Sequence, residues 1–95
     1  MFTIKPKSFY DVMLGADLNV TCVAVGSPMP HVMWLQGKQE VNTHQPVGKN
    51  ILALKDIRQS ANYTCVALSA LGSIEAPSMI KVQGQYTRTI FLSIF

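Results

Sequence analysis

Two cysteines and a single tryptophan constrain this chain more than any other feature. Cys22, Trp34 and Cys65 each lie in a short segment where inward and outward positions alternate. Period-two alternation is the signature of a half-buried β-strand, whose successive side chains point to opposite faces. In Leu18–Val25 it turns Leu18, Val20, Cys22 and Ala24 to one side, in His31–Gln36 it turns Val32 and Trp34 inward, and in Ala61–Leu68 it turns Tyr63 and Cys65 inward. Gly, Pro and Asn punctuate the pattern between these segments, and no helical periodicity is sustained. The chain reads as all-β, with about seven or eight short strands, the count of a two-sheet sandwich.

The remaining strands follow from the same reading. Phe2–Ile4 is an edge strand, broken by Pro6 and continued near Phe9–Met13. Leu14–Asp17 is a turn, and Gly26–Pro30, with two prolines, is a rigid loop. Gln39–Val41 is a short strand after the Gly37–Lys38 turn, and Asn42–Lys49 is a polar connection. Asn50–Leu54 carries Leu52 and Leu54 inward, and Ile57 plugs the end of the core. Ala70–Ser73 forms a hairpin turn into the last strand, Ile74–Val82, with Ser78, Ile80 and Val82 inward.

A chain of 95 residues is one domain with a modest core, so a covalent staple would help it. Apolar residues make up 48% and charged residues 14%, which fits a folded domain and not a disordered one. The net charge of +3 is spread along the chain without a basic run, so no nucleic acid and no membrane surface is expected as a partner. No run of about 18 apolar residues exists, so no direct membrane insertion is expected. The start lacks the uninterrupted apolar core of a signal peptide, so an extracellular domain of this sequence is expected to be a piece of something longer. There is no CxxC pair, and His31 and His44 are not at metal-ligand spacing from either cysteine. A Cys22–Cys65 disulfide would stabilise the fold by roughly 4 kcal/mol in the chain-entropy model. Two buried free thiols are the alternative.

Cys22 and Cys65 fall on the second and sixth strands of the succession, Trp34 on the strand after Cys22, and Tyr63 two residues before Cys65. In an immunoglobulin-like Greek-key sandwich the cysteines face each other across the sheets, the tryptophan covers them, and the tyrosine hydroxyl closes a corner. The core residues expected on this basis are Trp34, Tyr63 and Leu54.

The chain also resembles a particular branch of this fold. Asn19–Pro30, Pro46–Leu52, Asp56–Cys65 and Leu71–Ala76 are similar to an intermediate-set immunoglobulin domain, the third of the LAR-type receptor protein tyrosine phosphatases. The stretch Arg58–Cys65 carries most of this likeness. Gln59 stands where the general pattern has an aspartate, which removes the usual Asp–Arg bridge at the base of the sandwich. Met33 departs from the branch, which tends to carry a lysine there, and the likeness ends after Val82. Residues 1–82 are therefore read as the domain, and 83–95 as an atypical tail, either a disordered terminus or a strand extension.

The resemblance implies an extracellular module of a single-pass cell-adhesion receptor acting in axon guidance and synapse organisation. Its expected partners are synaptic adhesion molecules on neighbouring cells, and adjacent immunoglobulin and fibronectin III domains. The parent receptors carry their phosphatase domains in the cytoplasm. A secreted truncated decoy and an intracellular muscle-type spacer domain are the alternatives.

Asn19-Val-Thr and Asn62-Tyr-Thr are N-glycosylation sequons. With the cysteines inward, both asparagines face outward, where a glycan meets no core, and this favours secretion and the disulfide over free thiols. The phosphatase signature needs an arginine six residues after its cysteine, but Cys22 leads to Pro28 and Cys65 to Leu71. No triad spacing and no phosphate loop appears, so neither catalysis nor a cofactor is expected. The outward positions of three strands read His31, Met33, Leu35; Thr64, Val66, Leu68; and Pro77, Met79, Lys81. If these strands share a sheet, Met33, Leu35, Val66, Leu68 and Met79 form an apolar face suited to a protein partner.

Overall fold

The structure is a computed structural model that describes residues 1–42 and 46–83. The described residues form eight strands: β1 (Phe2–Ile4), β2 (Phe9–Met13), β3 (Leu18–Ala24), β4 (His31–Gln36), β5 (Gln39–Val41), β6 (Lys49–Leu54), β7 (Ala61–Ser69) and β8 (Gly72–Gln83). One sheet has the order β1-β3-β6 and the other β2-β8-β7-β4-β5. All neighbours are antiparallel except β2 and β8, which run parallel. His44, part of the tract expected to be polar connection, and residues 84–95 lie outside the described residues.

Alternation builds the core. Val20, Cys22 and Ala24 from β3 and Leu52 from β6 meet Val32 and Trp34 from β4, Cys65 and Ala67 from β7, and Ala76 from β8, all buried. Ile80, Val82 and Ser78 extend it along β8, as their inward register requires. Leu54 and Tyr63 pack against this cluster but are only partly buried, because both lie at its margin. Trp34 is the largest of the fully buried side chains.

Pro6 splits the N-terminal strand between the sheets: β1 pairs with β3, and β2 crosses to pair with β8. A proline cannot donate to a ladder, so the chain changes sheet where a hydrogen bond would be missing anyway. The β7–β8 hairpin is tighter than expected. Ser69 pairs with Gly72, so the loop is Ala70–Leu71 and β8 begins at Gly72.

Gly48 holds β6 against β3. Its φ is +83°, its carbonyl accepts the Ala24 N–H at 2.9 Å, and a Cβ there would lie 3.2 Å from Met29 Sδ and 3.3 Å from the Ala24 carbonyl oxygen. Strain from the left-handed backbone and from the contact add. Gly48→Ala is therefore expected to cost about 1–2 kcal/mol in urea denaturation, and a change within ~0.5 kcal/mol would mean that the neighbours move freely.

Candidate protein-recognition face

The five-stranded sheet is set by β7, its central strand. On the inner side Cys65 stands opposite Trp34 on β4 and Ala76 on β8. Cys22 reaches across from the other sheet, and the Cys22–Cys65 disulfide closes at an S–S distance of 2.02 Å with Cα atoms 6.6 Å apart. Both cysteines and Trp34 are wholly buried.

A polar device in this core was not anticipated from the sequence. Asn50 is inward on β6 and buried, directly opposite Cys22. Trp34 Nε1 donates to the Asn50 carbonyl oxygen at 3.1 Å, while Asn50 Nδ2 donates to the Val32 carbonyl at 3.2 Å and to the Asn42 carbonyl at 3.3 Å. Asn42, in the left-handed region with φ +58°, returns its amide to Asn50 Oδ1 at 2.7 Å and to the Ile51 carbonyl. Buried polar groups are costly unless paired, and here each donor has an acceptor. The signal was available: Asn50 shares the inward parity of Leu52 and Leu54.

The outer side of the same sheet is a grid of rows. Glu40, Leu35, Thr64 and Pro77 make one row, Met33, Val66 and Glu75 the next, and His31, Leu68 and Ser73 a third. At the other end lies the row Asn62, Met79 and Phe9, the last contributed by β2. The structure thus brings the five expected face residues onto one side of one sheet. Leu68 is 45% exposed, and Met33, Leu35 and Met79 are half-buried.

Val66 requires a correction. It points outward as expected, yet only 6% of it is exposed. Its strand is central, and Met33 and Glu75 flank it directly on both sides, so it forms a floor beneath the face. Phe9, 49% exposed, was missed because its place on this face depends on a pairing 70 residues along the chain between Phe9 and Met79.

The sequon asparagines are both exposed and lie on opposite sheets. Asn62 is outward on β7 beside Met79, and Asn19 is outward on β3 beside Ala53.

At the corner between β6 and β7, burial pushes the Tyr63 phenol above the ordinary tyrosine range. The corner carries hydrogen bonds from other groups. Ile57 N–H donates to the Ala16 carbonyl, Gly15 N–H to the Ile57 carbonyl, Asp56 N–H to Asp17 Oδ1, and Val82 N–H to Ser60 Oγ at 2.8 Å. With Gln59 in the aspartate position, Arg58 pairs with Asp56 instead, Nε to Oδ1 at 3.0 Å. Both partners are exposed, so this pair contributes little to stability. Both cysteines are consumed by the disulfide, so neither supplies a thiolate nucleophile. No helix among the described residues is long and apolar enough to cross a membrane.

Known proteins share this fold. The model of the family described as "Immunoglobulin domain" matches residues 1–68. Over 84 residues, 86% of this chain, the sequence is 49% identical to Tyrosine-protein phosphatase Lar of Drosophila melanogaster and 52% identical to Receptor-type tyrosine-protein phosphatase S of Gallus gallus. The chain spans only 4% and 6% of the length of those relatives. Among solved structures, the N-terminal Ig1-2 module of the Drosophila receptor protein tyrosine phosphatase DLAR superposes with a TM-score of 0.76 at 26% identity, over 90% of this chain and 50% of that one. The Titin M10–Obscurin like 1 Ig complex superposes with a TM-score of 0.72 at 26% identity, over 86% of this chain and 91% of that one. A two-sheet sandwich with its disulfide on a buried tryptophan, matched by the family model over most of its length, belongs to the immunoglobulin domain family and is similar to the immunoglobulin region of LAR-type receptor tyrosine phosphatases.

Proposed function

We propose that residues 1–82 are an extracellular immunoglobulin module of a LAR-type cell-adhesion receptor, equivalent to the third such domain. The module recognises proteins on neighbouring cells, including synaptic adhesion molecules, through the outer face of its five-stranded sheet. Asn19 and Asn62 carry N-linked glycans in this reading, and the Cys22–Cys65 disulfide reflects folding in an oxidising compartment. The observation that carries the proposal is the identity of 49–52% to receptor phosphatases across 86% of the chain. The apolar rows on the outer face support the location of the contact, since exposed apolar patches of this kind serve as interaction sites.

The experiment is binding to the ectodomain of an interleukin-1-receptor-like synaptic organiser, measured by surface plasmon resonance. Met33→Lys with Leu68→Asp puts charge on the Met33 and Leu68 rows without touching the core. The pair is expected to weaken binding at least ~10-fold, the equivalent of about 1.4 kcal/mol, with an unchanged melting temperature. Full affinity in the double variant would move the contact off this face.

A further inference from the structure

We infer that the glycan on Asn62 lies across β8 onto the Phe9 ring and covers that end of the outer face, leaving the Met33–Val66 and Leu68 rows for a protein partner. The inference rests on the glycosylation stated above.

The rows set the direction. Asn62 is exposed on β7, Met79 stands beside it on β8, and Phe9 beside Met79 on β2. Adjacent strands are about 4.8 Å apart, so Phe9 lies roughly 10 Å from Asn62 along the row. That is within reach of the first two N-acetylglucosamines of an N-linked core. On its other side Asn62 faces the end of β4, where Gln36 gives way to the Gly37–Lys38 turn and the described residues offer no apolar side chain. A pyranose ring has one face of C–H groups, and the electron-rich face of an aromatic ring is its natural apolar seat. Among the described residues β2 is the edge of its sheet with no further strand flanking Phe9, and the ring is half exposed.

Along the strands the covered row gives way in turn to the Leu35–Thr64–Pro77, Met33–Val66–Glu75 and His31–Leu68–Ser73 rows. Leu68 is six residues from Asn62 on one strand, about 20 Å away at ~3.3 Å per residue. A glycan turned toward Phe9 therefore runs across the sheet and not along it. Asn19 supplies an internal control. On its sheet the neighbour is Ala53, and β1 pairs only near Val23 and Ala24, so among the described residues no aromatic ring shares its row.

The test is a double-mutant cycle on the chain secreted from eukaryotic cells behind a cleavable leader. Peptide mass mapping, which separates Asn62 from Asn19, first reports whether Asn62 is glycosylated. If it is not, the premise falls, and the inference with it. If it is, Phe9→Ser is expected to lower the melting temperature by about 4 °C or more in the glycosylated chain, the shift that ~1 kcal/mol produces in a domain of this size. In the Asn62→Gln background the same substitution should cost less than half as much, whereas in the Asn19→Gln background it should cost the full amount. Equal losses in all three backgrounds would overturn the covering while leaving the glycosylation intact. Enzymatic trimming of folded glycoprotein to a single N-acetylglucosamine repeats the comparison without a substitution at Asn62. The loss caused by Phe9→Ser should shrink, and a loss unaffected by trimming would count against the inference.

Discussion

Replacing Trp34 by alanine is expected to lower the unfolding free energy by about 4 kcal/mol, within the range measured for large aromatic side chains in cores. The indole is wholly buried between Cys65 on β7 and Val41 on β5 in the register of its sheet. Truncation leaves a cavity that the disulfide beside it resists collapsing into. It also strips the Asn50 carbonyl of the Nε1 donor at 3.1 Å, adding the cost of an unpaired buried acceptor. Domains of this size have a total stability of roughly 5–15 kcal/mol, so the variant loses a large fraction of it. Urea titration should show a midpoint displaced to lower denaturant with an unchanged slope. Trp34→Phe keeps most of the volume and loses the donor, and should cost about 1–3 kcal/mol. If the alanine variant lost less than ~1 kcal/mol, the indole would not be the keystone of this core.

The second large effect concerns the bridge. Cys22 and Cys65 are 43 residues apart, and a loop of that length stabilises by roughly 4 kcal/mol through the entropy it removes from the unfolded chain. Cys22→Ala with Cys65→Ala should therefore lose about 4 kcal/mol. Two small residues keep the site apolar, so most of the loss should come from the unfolded state and not from packing. The same loss should appear when the unsubstituted chain is unfolded with a strong reductant present. If the oxidised and reduced chains unfolded at the same urea concentration, the bridge would hold no more than the core already does. Because Trp34 packs beside the bridge, the two changes should not add, and combining them measures their coupling.

Much of the sandwich is legible in the sequence. Val20–Cys22–Ala24, Val32–Trp34 and Cys65–Ala67 face inward as parity requires. Pro6 does split the first strand, and Ser78, Ile80 and Val82 line the inner side of β8. The misses have a common form. Asn50 has the parity of a core residue, but the groups that pair its buried amide, the Val32 and Asn42 carbonyls, belong to other segments. The corner expected to close on Tyr63 carries hydrogen bonds from Gly15, Ile57 and Val82, which lie in segments the tyrosine's own strand does not name. Val66 was given the right direction and the wrong exposure, because a side chain on a central strand is covered by neighbours that its own segment does not name.

The sequence by itself determined which residues of each strand face inward, Cys22, Trp34 and Cys65 among them, and that the chain is all-β. Those are local facts, since the direction of a side chain in a strand depends only on its parity. Only the tertiary structure decided which strands are neighbours, that β2 runs parallel beside β8, and that Phe9, Met79 and Asn62 form one row. Register is settled by the joint packing of both sheets, with all inward faces satisfied at once. A surface built from several strands is therefore visible only after the core that aligns them has formed.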